Sequence, residues 1–352
     1  MYLPKRQAFP HTARFADNGL ATAGISLRYT AIALLGLATL TPHDQETVLS
    51  GRRASDLVGS LVTAARFSDD PGAVALVAWA SAEVAGEPDS VCLDRMREML
   101  AGGRPLMTVD TAWMLTAGVA SGLDGAAGAV SRESMTRLAA SQGPGGLFPH
   151  ALPAASLGRL RAHVGCFADQ VYPIQGLARY GKAADDSRAL SLANACAGRI
   201  VSLQGLNGQW WWHYDARSDR VVEGFPVYSV HQHAMAPMAL LDLAHGGGTA
   251  YPDAVDAGIR WVFDRPEVDV DLVDAGRGVI WRKVGRREPA KALRKGNAAL
   301  SAVLASARVP AADRLFPATE VDRECRPYEL GWLLYAWNRS VADQPVPTSE
   351  LN

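Results

Sequence analysis

The sequence predicts an all-α protein, an (α/α)6 toroid in which a ring of inner helices is enclosed by a ring of outer helices. Three observations predict this fold. Apolar residues recur at helical spacing along most of the 352 residues. Six of the resulting helices are apolar all round and alternate with five or six amphipathic ones, and helices that are apolar all round must be enclosed. A turn motif also recurs, which is typical of a repeat architecture.

The apolar helices are predicted at 25–40, 73–84, 111–120, 169–180, 230–244 and 328–338. The amphipathic helices between them are predicted at 54–67, 90–100, 131–141, 187–203 and 252–263. Asp110 precedes the third apolar helix in a position that suits an N-cap. The alternation leaves one other architecture open, a two-domain helical bundle.

The repeated unit consists of a helix, a glycine turn, a loop and a second helix. The turn Gln142-x-x-x-Gly146-x-Phe148 recurs 62 residues later as Gln204-x-x-x-Gly208-x-Trp210. Downstream, Asp169-x-x-x-Pro173 matches His233-x-x-x-Pro237 with an offset of 64. Because proline is tolerated only in the first turn of a helix, helices are expected to start or kink near these prolines. Asp169 and His233 would then occupy equivalent helix starts on one rim.

Residues 265–325 interrupt the alternation of helices. This stretch mixes alternating Val, Ile and Trp with glycine turns and basic residues, and it predicts a small irregular or β insertion folded over one mouth of the barrel. We therefore expect a single toroid domain over residues 1–340, with 265–325 as a candidate lid. The polar tail, 341–352, is expected to be flexible.

Composition and charge exclude several classes of function. The formal net charge of −1 gives no electrostatic footprint for nucleic acid. No apolar run approaches the roughly 20 residues that span a bilayer, and the first residues lack the apolar core of a signal peptide. The four cysteines are scattered, so we expect a reduced, cytoplasmic protein. The sequence leaves the oligomeric state open.

Two motifs carry a resemblance to a known family. The Q-x-x-x-G-x-W/F turn resembles the QW motif of the terpenoid cyclase and protein prenyltransferase superfamily, whose members are α/α toroids. The stretch from Val109 to Trp113 (VDTAW) is similar to the D-x-D-D-T-A stretch that opens an inner helix in class II terpene cyclases. Val109 stands at the protonating position of that motif, so Asp110 is the acid that remains. The zinc triad of the prenyltransferases has no counterpart at the matching positions.

Five polar residues are the candidate catalytic groups: Asp110, Asp169, Tyr228, His231 and His233. Each aspartate could cap its helix or act as a general acid, because an apolar barrel raises the pKa of a carboxyl group. His231 and His233 diverge by about 200° on a helix, so we expect one to cap or to exchange protons and the other to be buried. No third ligand follows at a suitable spacing, so no metal site and no cofactor is predicted, and a divalent metal stays open.

Ten further residues are the candidates for binding the substrate: Trp113, Tyr172, Trp210, Trp211, Trp212, Tyr214, Arg28, Arg323, Tyr328 and Glu329. The aromatic rings would stabilise a carbocation or stack on a sugar. Three consecutive tryptophans cannot share one face, so at least one is expected in the core between helices. The charged residues would either form ion pairs that join the first and last helical hairpins, or recognise a diphosphate or carboxylate group of the substrate.

Three functions fit these residues. The preferred prediction is a terpene cyclase-like enzyme that cyclises an isoprenoid in the toroid cavity, with an aspartate as the general acid. The first alternative is a carbohydrate-active toroid, a glycoside hydrolase, polysaccharide lyase or sugar epimerase, with paired carboxyls in an open polar cleft. The second alternative is a toroid that binds a ligand without catalysis. The expected partner is a small molecule, an isoprenoid or a sugar.

Overall fold

The computed structural model describes residues 1–16, 19–287, 292–305, 307–309 and 312–342. Its α-helices are α1 (Leu27–Leu37), α2 (Pro42–Val48), α3 (Ala54–Ala65), α4 (Pro71–Val84), α5 (Ser90–Ala101), α6 (Thr108–Ala120), α7 (Gly125–Ser141), α8 (Ala168–Ala183), α9 (Ser187–Ser202), α10 (Ala236–His245), α11 (Pro252–Asp264), α12 (Ala292–Val303), α13 (Ala312–Leu315) and α14 (Pro327–Ala342). Residues 343–352 of the predicted flexible tail lie outside the described residues.

Short strands lie in the connections. They are β1 (Thr12–Ala16), β2 (Gly19–Ala23), β3 (Leu106–Met107), β4 (Ala151–Leu152), β5 (Val164–Cys166), β6 (His213–Asp215), β7 (Arg220–Glu223), β8 (Val227–Tyr228), β9 (Val273–Asp274), β10 (Val279–Ile280), β11 (Lys283–Gly285), β12 (Glu320–Asp322) and β13 (Glu324–Cys325). They pair in small antiparallel sheets of two or three strands.

Helices α1, α4, α6, α8, α10 and α14 form the inner ring, and each packs against the next until α14 returns to α1. The ring closes through a close approach of backbones: a Cβ atom at Gly36 of α1 would lie 2.2 Å from the carbonyl oxygen of Gly331 in α14. Helix α4 is buried continuously from Gly72 to Ser81, as an enclosed helix must be. The predicted toroid is therefore confirmed.

Helices α3, α5, α7, α9 and α11 lie outside this ring and bury one face only. Their junctions repeat in detail. The Gln142 amide donates to the carbonyl oxygens of Gly146 in its own turn, at 2.8 Å, and of Leu192 in helix α9, at 2.9 Å. The Gln204 amide likewise donates, at 2.9 Å each, to Gly208 and to Ala254 of helix α11. Each glutamine thus joins one turn to the next outer helix.

A second pair of glutamines corrects the predicted alignment of the repeat. Gln170 exchanges two hydrogen bonds with the backbone of Phe148, and Gln232 makes the same pair with Trp210. Both pairs are 62 residues apart, so the residue equivalent to Asp169 is His231 and not His233. The predicted offset of 64 residues therefore does not apply at this helix start. A π-helical stretch, His231–Met235, lies at this point of the second unit, and π-helices accommodate extra residues.

Neither proline of the repeat starts its helix. Pro173 lies inside α8, five residues after its first residue. Pro237 is the second residue of α10, and α10 continues directly from the π-helical stretch, so this proline also lies within a continuous helical segment. Helix α6 begins at Thr108, two residues before Asp110, and Met107 is its N-cap residue, so Asp110 does not cap the helix.

The insertion contacts the rim at which the inner helices begin. Its strand β11 pairs with β8, which leads into α10, and with β12. Its helix α12 packs against β7. At the other side of the rim the hairpin β1–β2 pairs with β13. Within the described ranges, no helix is long and apolar enough to cross a membrane.

Candidate active site

The first carboxyl group at the rim is held by an arginine. The guanidinium of Arg28, at the start of α1, contacts Asp110 of α6 at 2.9 Å and pairs with both carboxylate oxygens of Asp70, the N-cap of α4. Asp110 is only 4% exposed. Burial raises the pKa of Asp110, and the charges of Asp70 and Asp169 raise it further, while Arg28 opposes them. Asp110 is thus a buried carboxyl that holds its proton to higher pH than a free aspartate does.

The second carboxyl group, Asp169, lies in the first turn of α8 and is fully buried. Its Oδ2 accepts hydrogen bonds from the backbone N–H of Cys166, at 2.7 Å, and lies 2.8 Å from Nδ1 of His150. The backbone of His150 is fixed by bonds to Val164 and Thr108, which brings it beside the start of α6. The negative charges of Asp169 and Asp110 therefore both raise the pKa of His150.

An open cavity of about 610 Å³ lies directly against this pair. It is bounded by the 150–166 segment, the loop at 212–213 and helix α12 of the insertion. The lining residues are His150, Leu157, Leu160, Arg161, Val164, Cys166, Trp212, His213, Arg294, Lys295, Ala298 and Ala299. The charged lining residues are all basic.

The two lining histidines differ in charge. The hydrogen bond and the negative charge of Asp169 raise the pKa of His150, which keeps it protonated to higher pH. Burial lowers the pKa of His213 to about 3, and the charges of Arg294 and Arg161 add to that effect, so His213 is neutral. The cavity therefore offers one protonatable imidazole inside a positive rim.

The predicted aromatic residues separate into lining and core positions. Trp212 lines the cavity. Trp210 and Tyr214 are fully buried, and Trp211 packs on Phe225, so none of these three faces the cavity. The expectation that at least one tryptophan fills the core agrees with this placement.

Trp113 and Tyr172 connect the two aspartates. Each lies one turn after its aspartate, and their ring centroids are 4.8 Å apart. The Tyr172 hydroxyl accepts a hydrogen bond from the indole of Trp332. Both rings are almost fully buried, which places them in the wall behind the cavity.

His231 and His233 are buried in the helical wall, 3% and 6% exposed. His231 packs between the rings of Phe167, Trp212 and Tyr228, at centroid distances of 4.4, 5.8 and 5.0 Å. Burial lowers the pKa of both histidines, that of His233 to about 4. This geometry suits neutral core histidines and gives no support to the predicted proton exchange.

The remaining predicted residues do not line this cavity. Tyr228 stacks under the guanidinium of Arg282 at 5.0 Å, and the same arginine contacts Glu329 at 3.3 Å. Tyr328 packs on Tyr29, 4.6 Å between centroids. Arg323 is exposed and lines a separate cavity of about 650 Å³ beside the insertion. Arg28 pairs with the acids of α4 and α6 and not with the last hairpin.

Sequence reasoning missed His150, His213, Cys166 and the basic residues of α12. The repeat contained the signal for His150. At the 62-residue offset, His150 corresponds to Trp212 and Cys166 corresponds to Tyr228, just as Asp169 corresponds to His231. The basic residues of α12 lie in an irregular insertion whose path no local pattern predicts.

Several solved structures to which this chain is similar carry the names of enzymes that act on carbohydrates. One is an unsaturated glucuronyl hydrolase specific for heparin, 14% identical, with a TM-score of 0.60 over 97% of this chain and 92% of that chain. Another is the unsaturated glucuronyl hydrolase of Bacillus sp. GL1, 13% identical, with a TM-score of 0.55 over 94% and 90%. A polysaccharide lyase is 11% identical, with a TM-score of 0.53 over 90% and 92%. No protein-family profile and no curated protein matches the sequence.

These findings correct the preferred prediction. The similar toroids are glycoside hydrolases and a polysaccharide lyase, so the predicted isoprenoid cyclase is wrong. The site agrees with that correction, because the cavity is an open cleft with a basic lining and not a closed, aromatic-lined chamber. The QW-like turns therefore indicate the toroid and do not indicate the cyclase family. At these identities the likeness establishes the fold alone.

Proposed function

We propose that this protein is a carbohydrate-active enzyme that hydrolyses the glycosidic bond of an anionic, uronate-bearing oligosaccharide. The observation that carries the proposal is the His150–Asp169 pair at the wall of an open cavity whose charged lining residues are all basic. Glycosidic cleavage requires a general acid and a general base beside the bound sugar, usually two carboxyl groups, and here Asp110 is a second carboxyl near this pair. The proposal agrees with the similar toroids, two of which are named as glucuronyl hydrolases.

Cleavage of a glycosidic bond needs a proton for the leaving oxygen and a group that activates water. Asp169 holds Nδ1 of His150, so Nε2 is the ring nitrogen that can exchange a proton with the substrate. The raised pKa of His150 holds that proton to higher pH than a free imidazole does. Asp110 is the second carboxyl of the site, and its raised pKa suits a proton donor.

The basic rim selects the charge of the sugar. Arg161, Arg294 and Lys295 approach the cavity from two different elements, the 157–161 loop and helix α12. A guanidinium binds a carboxylate through two parallel hydrogen bonds. Trp212 offers an aromatic face on which a sugar ring can stack. A uronate residue would satisfy both kinds of group.

The first experiment offers the purified protein oligosaccharides that end in an unsaturated uronate, whose conjugated double bond absorbs in the ultraviolet. Hydrolysis removes this absorbance, whereas lyase action on a saturated uronate polymer creates it, so the sign of the change separates the two reactions. We expect a loss of absorbance. Asp169→Asn should lower kcat/KM by about 100-fold or more, because a positioned acid–base group contributes 10²–10⁴ to the rate.

Asp186→Asn is the matched control. Asp186 caps the outer helix α9, and asparagine caps a helix equally well, so this variant should keep the activity of the unmodified protein. A neutral oligosaccharide of the same length should react poorly. If neither unsaturated nor saturated uronates react, or if Asp169→Asn retains full activity, the proposed function is wrong.

Lys295→Ala tests the role of the rim separately. Lys295 is exposed and lines the cavity. Its removal should raise KM several-fold with little change in kcat, and added salt should reduce the difference because exposed charges are screened. An unchanged KM at low salt would show that the basic rim does not bind the substrate.

A further inference from the structure

We propose that His150, Cys166 and Asp169 form a binding site for a zinc ion at the wall of the cavity. One donor atom from each of these residues, an imidazole nitrogen, a thiol sulfur and a carboxylate oxygen, lies within 4.8 Å of the other two. The sequence alone does not group these residues, because His150 comes from a different segment than Cys166 and Asp169, which are three residues apart. The fold brings them together.

The convergence of these positions is a property of the repeat. The equivalent positions of the second unit, each 62 residues later, also meet in one cluster, with ring centroids 4.7 to 5.8 Å apart. Those positions hold Trp212, Tyr228 and His231. The toroid thus builds the same triangle twice, once with aromatic rings and once with three groups that ligate metals.

The donor set matches zinc. Zinc is bound by histidine nitrogen at about 2.0–2.1 Å, carboxylate oxygen at about 2.0–2.2 Å and thiolate at about 2.3 Å, in tetrahedral geometry. Those bond lengths require donors roughly 3.3–3.7 Å apart. His150 Nδ1 and Asp169 Oδ2 are 2.8 Å apart, and donor atoms of all three residues lie within 4.8 Å of one another. Small side-chain rotations therefore reach the tetrahedral distances.

The carboxylate of Asp169 has an oxygen available for a ligand. Asp169 is 0% exposed, and among the described residues its Oδ1 has no hydrogen-bond partner. A buried carboxylate oxygen without a partner costs free energy, and a bound cation would offset that cost. Oxygen, nitrogen and sulfur together favour zinc over calcium or magnesium, which prefer oxygen ligands alone.

Rigid elements hold the ligands, and the cavity gives access. Cys166 ends strand β5, and its carbonyl oxygen accepts a hydrogen bond from Gln170 at 3.1 Å. Asp169 lies in the first turn of α8, and His150 is fixed through its backbone. His150 and Cys166 both line the cavity, so the fourth coordination position would face it. Three protein ligands and one open position are typical of a zinc site that binds a small ligand.

Zinc and the proposed acid–base pair use the same atoms. With zinc bound, Nδ1 of His150 and the carboxylate of Asp169 would be ligands, and their shared proton would be displaced. The zinc site itself does not rest on the proposed function, because it requires only the three donors. It is therefore tested by binding and not by activity.

The experiment titrates metal-free protein, prepared with a chelator, with Co²⁺ as a spectroscopic substitute for zinc. We expect one Co²⁺ per chain, with a thiolate-to-cobalt charge-transfer band and the strong visible absorption of a tetrahedral site. Added Zn²⁺ should remove both signals by displacement. Cys166→Ser should abolish the charge-transfer band, and His150→Ala should weaken binding at least tenfold.

Cys92→Ala is the control, because it removes a buried thiol from outer helix α5 and should leave the spectrum unchanged. Circular dichroism of each variant shows whether it has kept the fold. Absence of a charge-transfer band in the unmodified protein, or its persistence in Cys166→Ser, would overturn the zinc site and leave the proposed hydrolysis untouched. Cleavage is assayed on the metal-free protein, because a bound metal would occupy the acid–base pair. A protein that binds Co²⁺ but, when metal-free, cleaves no uronate would overturn only the proposed function.

Discussion

The two repeated units of this toroid share a scaffold and differ at the positions that carry chemistry. In each unit, one glutamine ties the glycine turn to the next outer helix, and a second glutamine pairs with the backbone of the aromatic residue. Between its two glutamines, the first unit has His150, Cys166 and Asp169. The second unit has Trp212, Tyr228 and His231 at the equivalent positions. One triangle is polar and contains a buried carboxylate; the other is a cluster of rings.

The comparison separates the residues that build the fold from the residues that can take part in chemistry. The glutamines bond to backbone groups, so they are compatible with any side chains in the triangle. The aromatic triangle contributes packing area and one face, that of Trp212, to the cavity. The polar triangle contributes a protonatable group and metal donors. Substitutions in the scaffold should therefore destabilise both units to a similar extent. Substitutions in the two triangles should have different effects.

The largest effect is expected at the glycines of the two turns. Gly208 has φ +89°, and a Cβ atom there would lie 2.0 Å from the carbonyl oxygen of Ala257; at Gly146, with φ +99°, the nearest backbone atoms of Ala195 would be 2.7 Å away. Both alanine variants combine a left-handed backbone with a clash. We expect losses in the free energy of unfolding of roughly 3 kcal/mol or more for Gly208→Ala, and somewhat less for Gly146→Ala.

Gly122→Ala measures the cost of the backbone conformation without the cost of a clash. Gly122 has φ +103°, and a Cβ atom there would have no neighbour within 4 Å, so only the conformational cost of about 1 kcal/mol applies. Urea unfolding of the three variants gives the comparison. Equal losses for Gly122→Ala and Gly208→Ala would show that the close approach of the turn to helix α11 contributes nothing.

The next largest effect is expected at the two buried glutamines. Gln170→Leu and Gln232→Leu keep the volume but leave the backbone groups of Phe148 and Trp210 without partners. Each should lose roughly 3 kcal/mol, because two buried polar groups lose their hydrogen bonds. Thr116→Val is the control: Thr116 is 1% exposed and bonds only within its own helix, so its replacement should cost far less. Unequal losses for the two glutamines would show that the scaffolds are not equivalent.

Much of the scaffold could be predicted from the sequence because it depends on local patterns. Helical spacing of apolar residues predicted the inner helices, and the Q-x-x-x-G-x-aromatic turn predicted the repeat. The alignment failed at Pro237, because the π-helical stretch that shifts it leaves no mark in apolar spacing. The helix around Pro173 was predicted within one residue of its observed start, and α8 holds this proline in its second turn.

The site was harder to predict because its groups meet only in three dimensions. Asp110 and Asp169 were recognised, since each starts an apolar helix. Their partners were not: Arg28 crosses from another helix to reach Asp110, and His150 reaches Asp169 from a loop. His231 and His233 attracted attention as a polar pair in an apolar stretch, yet tertiary packing buries both.

The smallest effect, and the one most specific to the triangles, is the pH dependence of stability. Asp169 raises the pKa of His150 above 6.5, so the stability that His150 contributes is present below pH 6.5 and is lost as the pH rises through the raised value. Burial places the pKa of His231 well below 6.5, so its contribution is present above pH 6.5 and is lost as the pH falls.

The variants His150→Asn and His231→Asn should therefore change the pH profile in opposite directions. Relative to the unmodified protein, His231→Asn should gain up to about 1.4 kcal/mol per pH unit as the pH falls below 6.5. His150→Asn should be less stable by a constant amount below pH 6.5, and this deficit should shrink as the pH rises above 6.5 through the raised pKa of His150. Urea unfolding at several pH values between 5.5 and 8.5, in buffer with a chelator, measures both slopes. His43→Asn, at an exposed position of α2, is the control. If both triangle variants shift the profile in the same direction, the polar and aromatic triangles do not hold their histidines in opposite charge states.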